Sequence, residues 1–498
     1  MKKLKFPTAQ TILLLIAGLV TLLTWVVPAG QYDTLGYDSD AESFVRTHAE
    51  GTETLPATQE TLETLEVKIP VEKFTSGDIY KPINIPGTYR EVEAKPQGFG
   101  AFIQSPVKGI IESADIIFLV LFIGGLIGIM NRTGAFDAGI SWLARVLRGR
   151  EYLLIILVTT LIAAGGTTFG LAEETMAFYP ILIPVFIAAG YDAMVGLACI
   201  FLGSAVGSMC STVNPFSTII ASDAAGINWT SGWEGRAIIL VICVTITILY
   251  ILRYAARVKK DPSRSIIFEH KERIEKMFGL SHAQTNAKLT GRLRLIIAIF
   301  SLSFIIMVIG VSMLDWWFVE MTATFLVGAI LIGIVGKIKE SDFVEAFSNG
   351  AGALLGVAFI IGIARGVSVI MTDGLISDTM LYNASGLTTG MEKGVFSNAM
   401  FLIYNGLSFF IPSSSGMAVL TMPIMAPLAD TAGVAREVVV NAYMYGMGLF
   451  FFINPTGLIL AALAIVKVGF NKWLKFIMPL FWILLITLMG FLTISVYI

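Results

Sequence analysis

The segment Tyr179-Pro180-Ile181-Leu182-Ile183-Pro184 returns in the second half of the chain as Met422-Pro423-Ile424-Met425-Ala426-Pro427, and a glycine, Gly190 or Gly433, follows each at the same offset. Each copy runs on into an Asn-Pro pair, Asn214-Pro215 within STVNPFST and Asn454-Pro455 within FFINPTGL. Upstream, Ile129-Met130-Asn131-Arg132-Thr133-Gly134 is echoed by Ile370-Met371-Thr372-Asp373-Gly374. Three matched elements in one order describe an internal repeat.

The repeat sits in an apolar chain. Hydrophobic residues make up 55% of 498 and charged residues 14%, against roughly 45–50% and about 25% in soluble domains; mean hydropathy is +0.78. The formal net charge of -2 comes with no basic stripe to neutralise phosphates, so nucleic acid is not a partner. Cys199, Cys210 and Cys243 lie in apolar runs without a disulfide or zinc spacing. His48, His270 and His282 all fall in polar segments, which excludes a histidine relay inside the membrane.

Lys2, Lys3 and Lys5 precede an apolar run from about Thr8 to Pro28. It is long enough to span at about 20 residues per crossing, and Val27 to Gln31 is a poor cleavage site, so residues 1–28 read as an uncleaved first transmembrane helix. Residues 29–100 are polar and acidic, with prolines and an alternating stretch from Leu65 to Val71 that reads as a strand. They form an extracytoplasmic insert, either a lid or a long solvated loop. The remainder divides into a first half, 101–256, with a hairpin at 151–190 and a broken helix at 192–222, a basic cytoplasmic loop at 257–292, and a second half, 293–498, with a hairpin at 394–433 and a broken helix at 435–467.

Cytoplasmic loops collect Lys and Arg near membrane ends. Arg132, Arg145, Arg148 and Arg150 flank the first hairpin, whereas Asp373, Asp378 and Glu392 dominate the equivalent stretch of the second. The two copies are therefore anchored on opposite faces. Nine spanning helices plus two re-entrant hairpins then place the amino terminus, the Arg257–Lys288 loop, Lys337, Lys339 and Lys467 to Lys475 on the cytoplasmic side. The expected fold is an all-α integral membrane protein with an inverted repeat, in the bacterial inner membrane.

Such a layout has a physical use. Non-helical backbone at membrane depth is tolerated only in a protein interior or along a wet cavity. Gly165 to Gly170 and Ile411 to Gly416 read as hairpin tips, and proline after Asn214 and Asn454 breaks each long helix by removing a donor. Half-helix amino termini favour anions, while freed carbonyls and hydroxyls hold cations. Gly166, Ser211, Asn214, Asn454 and Thr456 are the candidate cation ligands. Three glycine pairs, Gly124/Gly128, Gly203/Gly207 and Gly352/Gly356, read as close-packing contacts. Glu173 and Glu174 follow the first tip, and Arg365 lies in an apolar helix, where an ionised group costs about 2.5–3.5 kcal/mol unless paired or hydrated. Glu173 and Glu174 are therefore read as substrate-binding candidates, one of them facing a substrate ammonium or coupling cation. Arg365 either faces a substrate carboxylate or pairs with a glutamate near the outer end of its helix.

VVPAGQY (26–32), GGTTFGLAEETMAFYPILIPV (165–185), VNPFST (213–218) and FINPTG (452–457) resemble the YfcC-like branch of the four-carbon-dicarboxylate uptake C (DcuC) family, within the ion transporter superfamily. The resemblance covers essentially the whole chain. It implies a scaffold domain, a mobile transport domain with two re-entrant hairpins, elevator-type alternating access and, in many members, a homodimer. It also implies substrate or cation contacts for Thr167, Thr168, Ser413, Ser414, Ser415, Asn214 and Asn454. The tips lack the Ser-Asn-Thr triplets of the sodium-coupled dicarboxylate branch, and the YfcC-like branch implies exchange of basic amino acids.

The function expected is secondary active transport of a small charged metabolite, an amino acid or, alternatively, a four-carbon dicarboxylate, with Na+ or H+ as coupling ion and no organic cofactor. A transporter-like channel or sensor is the other class left open. No H-E-x-x-H, G-x-S-x-G or G-x4-G-K-[ST] motif is present, so neither an enzyme nor a nucleotide-driven pump is expected.

Overall fold

Apolar runs become helices, two of which end a few residues before an Asn-Pro pair, whereas Pro106, Pro184, Pro423, Pro427 and Pro479 lie inside helices. The computed structural model describes residues 7–48, 51–67, 69–76, 79, 81–135, 138–139, 142, 149–168, 170–277, 290–314, 316–388 and 390–497. Arg145, Arg148, His282 and Lys288, used above, lie outside the described residues.

Helix α1, Ala9–Leu23, starts where the Thr8 hydroxyl accepts the Thr11 amide, and leads into the insert. There the strands are β1 (Gly30–Gln31), β2 (Thr34–Asp38), β3 (Ser43–His48), β4 (Gly51–Pro56), β5 (Ile83–Asn84) and β6 (Arg90–Glu91), with helices α2 (Gln59–Thr64) and α3 (Glu72–Thr75) between β4 and β5. They form an antiparallel sheet in the order β4-β3-β2-β5 and a separate β1-β6 pair. No strand runs through the described residues of Leu65 to Val71, which link α2 to α3. Their alternation reflects burial of Val67 and Ile69 with Leu35, Phe44, Leu62 and Phe74, not pairing with a neighbouring strand. The insert is thus a small α+β unit on an otherwise helical chain, with its strands elsewhere than the sequence suggested and two short helices added.

The first helical half contains α4 (Phe99–Glu112), α5 (Ala114–Thr133), α6 (Tyr152–Thr168), α7 (Tyr179–Ala188), α8 (Ala193–Met209), α9 (Ile220–Ala224) and α10 (Trp233–Lys260). Helix α10 runs through Arg257, Lys259 and Lys260, so the basic loop begins later than expected. After α11 (Lys271–Met277) come α12 (Gly291–Met313), α13 (Phe318–Gly336), α14 (Glu340–Ala353), α15 (Leu355–Asp373), α16 (Ser377–Gly386), α17 (Lys393–Phe410), α18 (Ser414–Thr431), α19 (Arg436–Phe450), α20 (Ile459–Val466) and α21 (Phe470–Ser495). Among the described residues, α5, α10, α13, α15 and α21 are long and apolar enough to cross a membrane, by length and composition. Leu157, Leu161, Val241 and Ile486 lie bare on the outer surface, as lipid-facing side chains do.

The two halves interlock through one pair of helices in each. Each pair is a 14-residue arm, α4 or α14, joined by a single residue to a longer one, α5 or α15. The short arm of each packs along the long arm of the other, α4 on α15 and α14 on α5. Glycines make these crossings possible: a Cβ at Gly109 would overlap the Gly362 carbonyl, and one at Gly128 the Ala346 carbonyl. Of the three expected close-packing pairs, Gly124/Gly128 and Gly203/Gly207 meet backbone of a neighbouring helix. Gly352 and Gly356 meet nothing within 4 Å, and Gly350 makes that contact instead. The spacing was present on the wrong face of the helix.

Each candidate hairpin then packs on its broken helix, α6 on α8 and α17 on α19. Gly190 and Gly433, the matched glycines, both adopt the left-handed conformation, at φ 86° and 64°, which a residue with a Cβ takes up at a cost. The first bend lies later than expected. Gly165 to Thr168 form the last turn of α6, closed by the Thr168 hydroxyl on the Ala164 carbonyl at 2.7 Å, and the chain turns at 170–172.

Candidate functional site

Both long helices break at Asn-Pro. After α8 the chain opens over Cys210 to Asn214, and Pro215–Ile219 form a wide turn before α9. After α19 it turns through Asn454 to Leu458 before α20.

The two asparagines do the same work. Asn214 Oδ1 accepts the Phe216 amide at 2.8 Å, and its Nδ2 donates to the Gly166 carbonyl in the last turn of α6 at 3.2 Å. Asn454 Oδ1 accepts the Thr456 amide at 3.1 Å, and its Nδ2 donates to the Ser408 carbonyl in the last turn of α17 at 2.8 Å. Each carboxamide thus satisfies an amide freed by the break and ties the break to the neighbouring hairpin arm. Around the first tie, Ser211 Oγ donates to the Thr167 carbonyl at 3.3 Å, and Thr167 Oγ1 accepts the Thr212 amide at 2.9 Å. Around the second, Thr456 Oγ1 bonds both Asn454 Oδ1 at 2.7 Å and the Phe409 carbonyl at 3.1 Å.

A cavity of about 500 Å³ lies where bends and breaks meet. Glu173, Glu174, Asn214, Ser413, Ser414, Ser415, Thr456 and Arg365, all singled out from sequence, line it. Gly166, Thr167, Thr168, Ser211 and Asn454 are not among its lining residues; the polar atoms of Gly166, Thr167, Ser211 and Asn454 face the ties just described, and the exposed Thr168 turns its hydroxyl back to the Ala164 carbonyl. Ser413 Oγ caps α18 by accepting the Gly416 amide at 3.2 Å, and Tyr443 OH holds the Ser414 carbonyl at 2.7 Å.

Further lining residues were not singled out from sequence, among them Lys81, Glu112, Asp115, Trp316, Trp317 and Tyr443. Glu112 and Asp115 carried a signal, two acids flanking Ser113 inside an apolar stretch, at the junction of α4 and α5. Lys81 carried none, being one lysine in a polar insert. Arg365 Nε pairs with Glu112 Oε2 at 2.9 Å, so its two proposed uses coincide: it has a glutamate partner and it faces the cavity. The lining therefore holds Glu112, Asp115, Glu173 and Glu174 against Lys81 and Arg365. Once Glu112 and Arg365 neutralise one another, three acids face one lysine. The volume falls in the usual range for small-molecule sites, roughly 300–1,000 Å³.

A cavity with charged and polar side chains at paired helix breaks, in a chain with several membrane-length helices, is an arrangement membrane carriers use. The chain belongs to the DcuC family: the family model, described as C4-dicarboxylate anaerobic carrier, matches residues 6–497. It is 43% identical over 487 residues to an uncharacterized protein of Haemophilus influenzae, covering 97% of this chain and 96% of that one. It is 30% identical over 490 residues to the putative basic amino acid antiporter YfcC of Escherichia coli, covering 94% and 92%. Among solved structures it resembles the YdaH transporter of Alcanivorax borkumensis (TM-score 0.40, 14% identity, 98% of each chain). It also resembles MtrF of Neisseria gonorrhoeae, described within a class of antimetabolite efflux pumps (TM-score 0.40, 16% identity, 99% and 96%). The protein is thus a multi-pass membrane transporter of the DcuC family, similar to YfcC.

Proposed function

We propose that this protein is a secondary active transporter of a basic amino acid, working by elevator-type alternating access as an exchanger or with Na+ or H+ as coupling ion. The observation that carries the reading is the charge of the cavity: Asp115, Glu173 and Glu174 outnumber Lys81 once Glu112 and Arg365 are paired. A basic amino acid presents two cations and one carboxylate and complements that lining. The similarity to YfcC, a putative basic amino acid antiporter, supports the same class. A dicarboxylate, favoured by the family's description, would meet repulsion from three acids unless cations accompanied it.

Uptake into proteoliposomes of labelled arginine, ornithine, lysine, succinate and malate, under imposed Na+ or H+ gradients, tests the reading. Saturable arginine or ornithine uptake with counterflow is expected. Succinate uptake that amino acids do not compete against would transfer the proposal to the dicarboxylate, and flux without saturation to a channel.

The transport unit we propose consists of α6–α7 and α17–α18 as re-entrant hairpins from opposite faces, related by an inverted repeat, in an inner-membrane protein with a cytoplasmic amino terminus. The reciprocal packing of α4 on α15 and α14 on α5, and the equivalent asparagine ties, support it. Single cysteines introduced at Arg150 and Glu392, both exposed, are expected to react with an impermeant maleimide from opposite sides. The three native cysteines are buried and give little background. Labelling of both positions from one side would sink the inverted repeat.

A further inference from the structure

Glu112 and Arg365 meet where two helices cross as closely as backbones allow. Arm α4 ends at Glu112 and packs along α15, which carries Arg365. A Cβ on Gly362 would overlap Ile110, and one on Gly366 the Ser105 carbonyl. The crossing therefore fixes the two backbones from which both side chains reach the cavity. Arg365 stays 44% and Glu112 45% exposed, and a single hydrogen bond joins them, Arg365 Nε donating to Glu112 Oε2 at 2.9 Å. Among the described residues, no further hydrogen bond reaches Arg365 Nη1 or Nη2, or Glu112 Oε1. Arg436 makes the contrast: its Nε and Nη2 hold both oxygens of Asp430 and its Nη1 the Ala225 carbonyl, so that fork is filled by the protein.

We infer that the Glu112–Arg365 pair receives the α-amino-acid head group of the substrate, the carboxylate on Arg365 Nη1 and Nη2 and the α-ammonium on Glu112. This rests on the amino-acid reading above and names the groups that tell an amino acid from a bare cation. Nη1 and Nη2 carry most of the guanidinium's N–H donors, in the planar fork that a carboxylate accepts as two parallel bonds. Glu112 likewise spends one of about four acceptor sites on Arg365 and keeps the rest. The zwitterionic head and the ion pair are each neutral as a whole, so docking one on the other leaves the charge of the remaining lining unchanged. Asp115, Glu173 and Glu174 then serve the side-chain cation. Asp115 stands just beyond Glu112 in the first turn of α5, and the turn that carries Glu173 and Glu174 packs against that helix. Lys81 arrives from elsewhere. Asp378, at the start of α16, accepts the Tyr32 amide at 3.0 Å and Asn84 Nδ2 at 3.2 Å. This docks the insert, whose Lys81 Nζ donates to Ser415 Oγ at 2.9 Å and ties the insert to α18.

The alternative role for the pair is mechanical, a pin between α4 and α15, and ligand choice separates the two. Isothermal titration calorimetry on the purified full-length protein measures binding of arginine and of agmatine, its decarboxylated analogue, without requiring transport. The parent is expected to bind arginine more tightly than agmatine. Arg365→Gln is expected to weaken arginine by about tenfold to a hundredfold, the loss of hydrogen bonding to a charged group. Agmatine, with no carboxylate to lose, should not weaken in that variant. Glu112→Gln is expected to weaken agmatine about tenfold, since its amine loses a partner and faces an unpaired Arg365. Arginine should weaken less there, because Arg365 still takes the carboxylate. If Arg365→Gln is not recovered folded, Glu112→Gln decides by the same contrast. Equal losses of both ligands, undiminished arginine binding in Arg365→Gln, or a parent that binds arginine no better than agmatine overturns the assignment while leaving the amino-acid reading intact. A parent that binds no arginine overturns the amino-acid reading and the assignment with it.

Discussion

Glu173→Gln is expected to raise the half-saturating concentration of a cationic amino acid by about tenfold to a hundredfold, the range for losing one hydrogen bond to a charged group, and Glu174→Gln is expected to raise it by less. The two neighbours differ in what they already hold. Glu174 Oε2 accepts the Ala172 amide at 3.0 Å, so its carboxylate helps set the bend that follows α6. Glu173 makes no hydrogen bond or ion pair with another described side chain, yet it lines the cavity. A carboxylate that lines a cavity in an apolar chain without a side-chain partner among the described residues is expected to have a use that offsets its desolvation. Glutamine retains shape and one acceptor but removes the charge. The loss should therefore fall on cationic substrates and spare neutral analogues. The measurement is initial uptake rate against arginine and ornithine concentration for each variant, with protein amount normalised. Unchanged uptake by both variants would remove the glutamates from the site and shift weight to the dicarboxylate reading.

Asn214→Ala and Asn454→Ala are each expected to cut transport below about a tenth of the parent rate while leaving a correctly inserted protein. Either substitution strands the amide of Phe216 or Thr456 and frees the last turn of a hairpin arm. An unsatisfied buried amide costs about 1–3 kcal/mol, enough to loosen a bend and small beside the burial that holds the helices together. The two should differ in one respect. Asn214 lines the cavity and Asn454 does not, so Asn214→Ala is expected to raise the half-saturating concentration and lower the maximal rate, and Asn454→Ala to act mainly on the rate. Gel filtration and thermal unfolding in detergent establish insertion and folding, and proteoliposome uptake establishes transport. Normal transport by both variants would reduce the Asn-Pro pairs to helix kinks.

The sequence by itself determined where helices run and where they stop. Apolarity and the missing amide of proline are properties of a few consecutive residues, so the breaks after Met209 and Phe450 and the left-handed glycines at 190 and 433 were placed by short-range chemistry. It also marked Glu173, Glu174, Arg365 and the Ser413–Ser415 bend, because polar groups in apolar surroundings are conspicuous. Tertiary structure decided the rest. Gly350 rather than Gly352 meets the facing helix, because a glycine spacing does not say which side of a helix has a neighbour. Val67 and Ile69 alternate without a strand, because burial against a sheet produces the same pattern as pairing within one. Thr167 and Asn454 turn their polar atoms to the ties, while Asp115 and Lys81 turn theirs to the cavity, a choice set by residues up to hundreds of positions away. Lys81 is the limiting case: nothing near it in sequence distinguishes it, and only the docking of the insert on Asp378 brings its ammonium to Ser415.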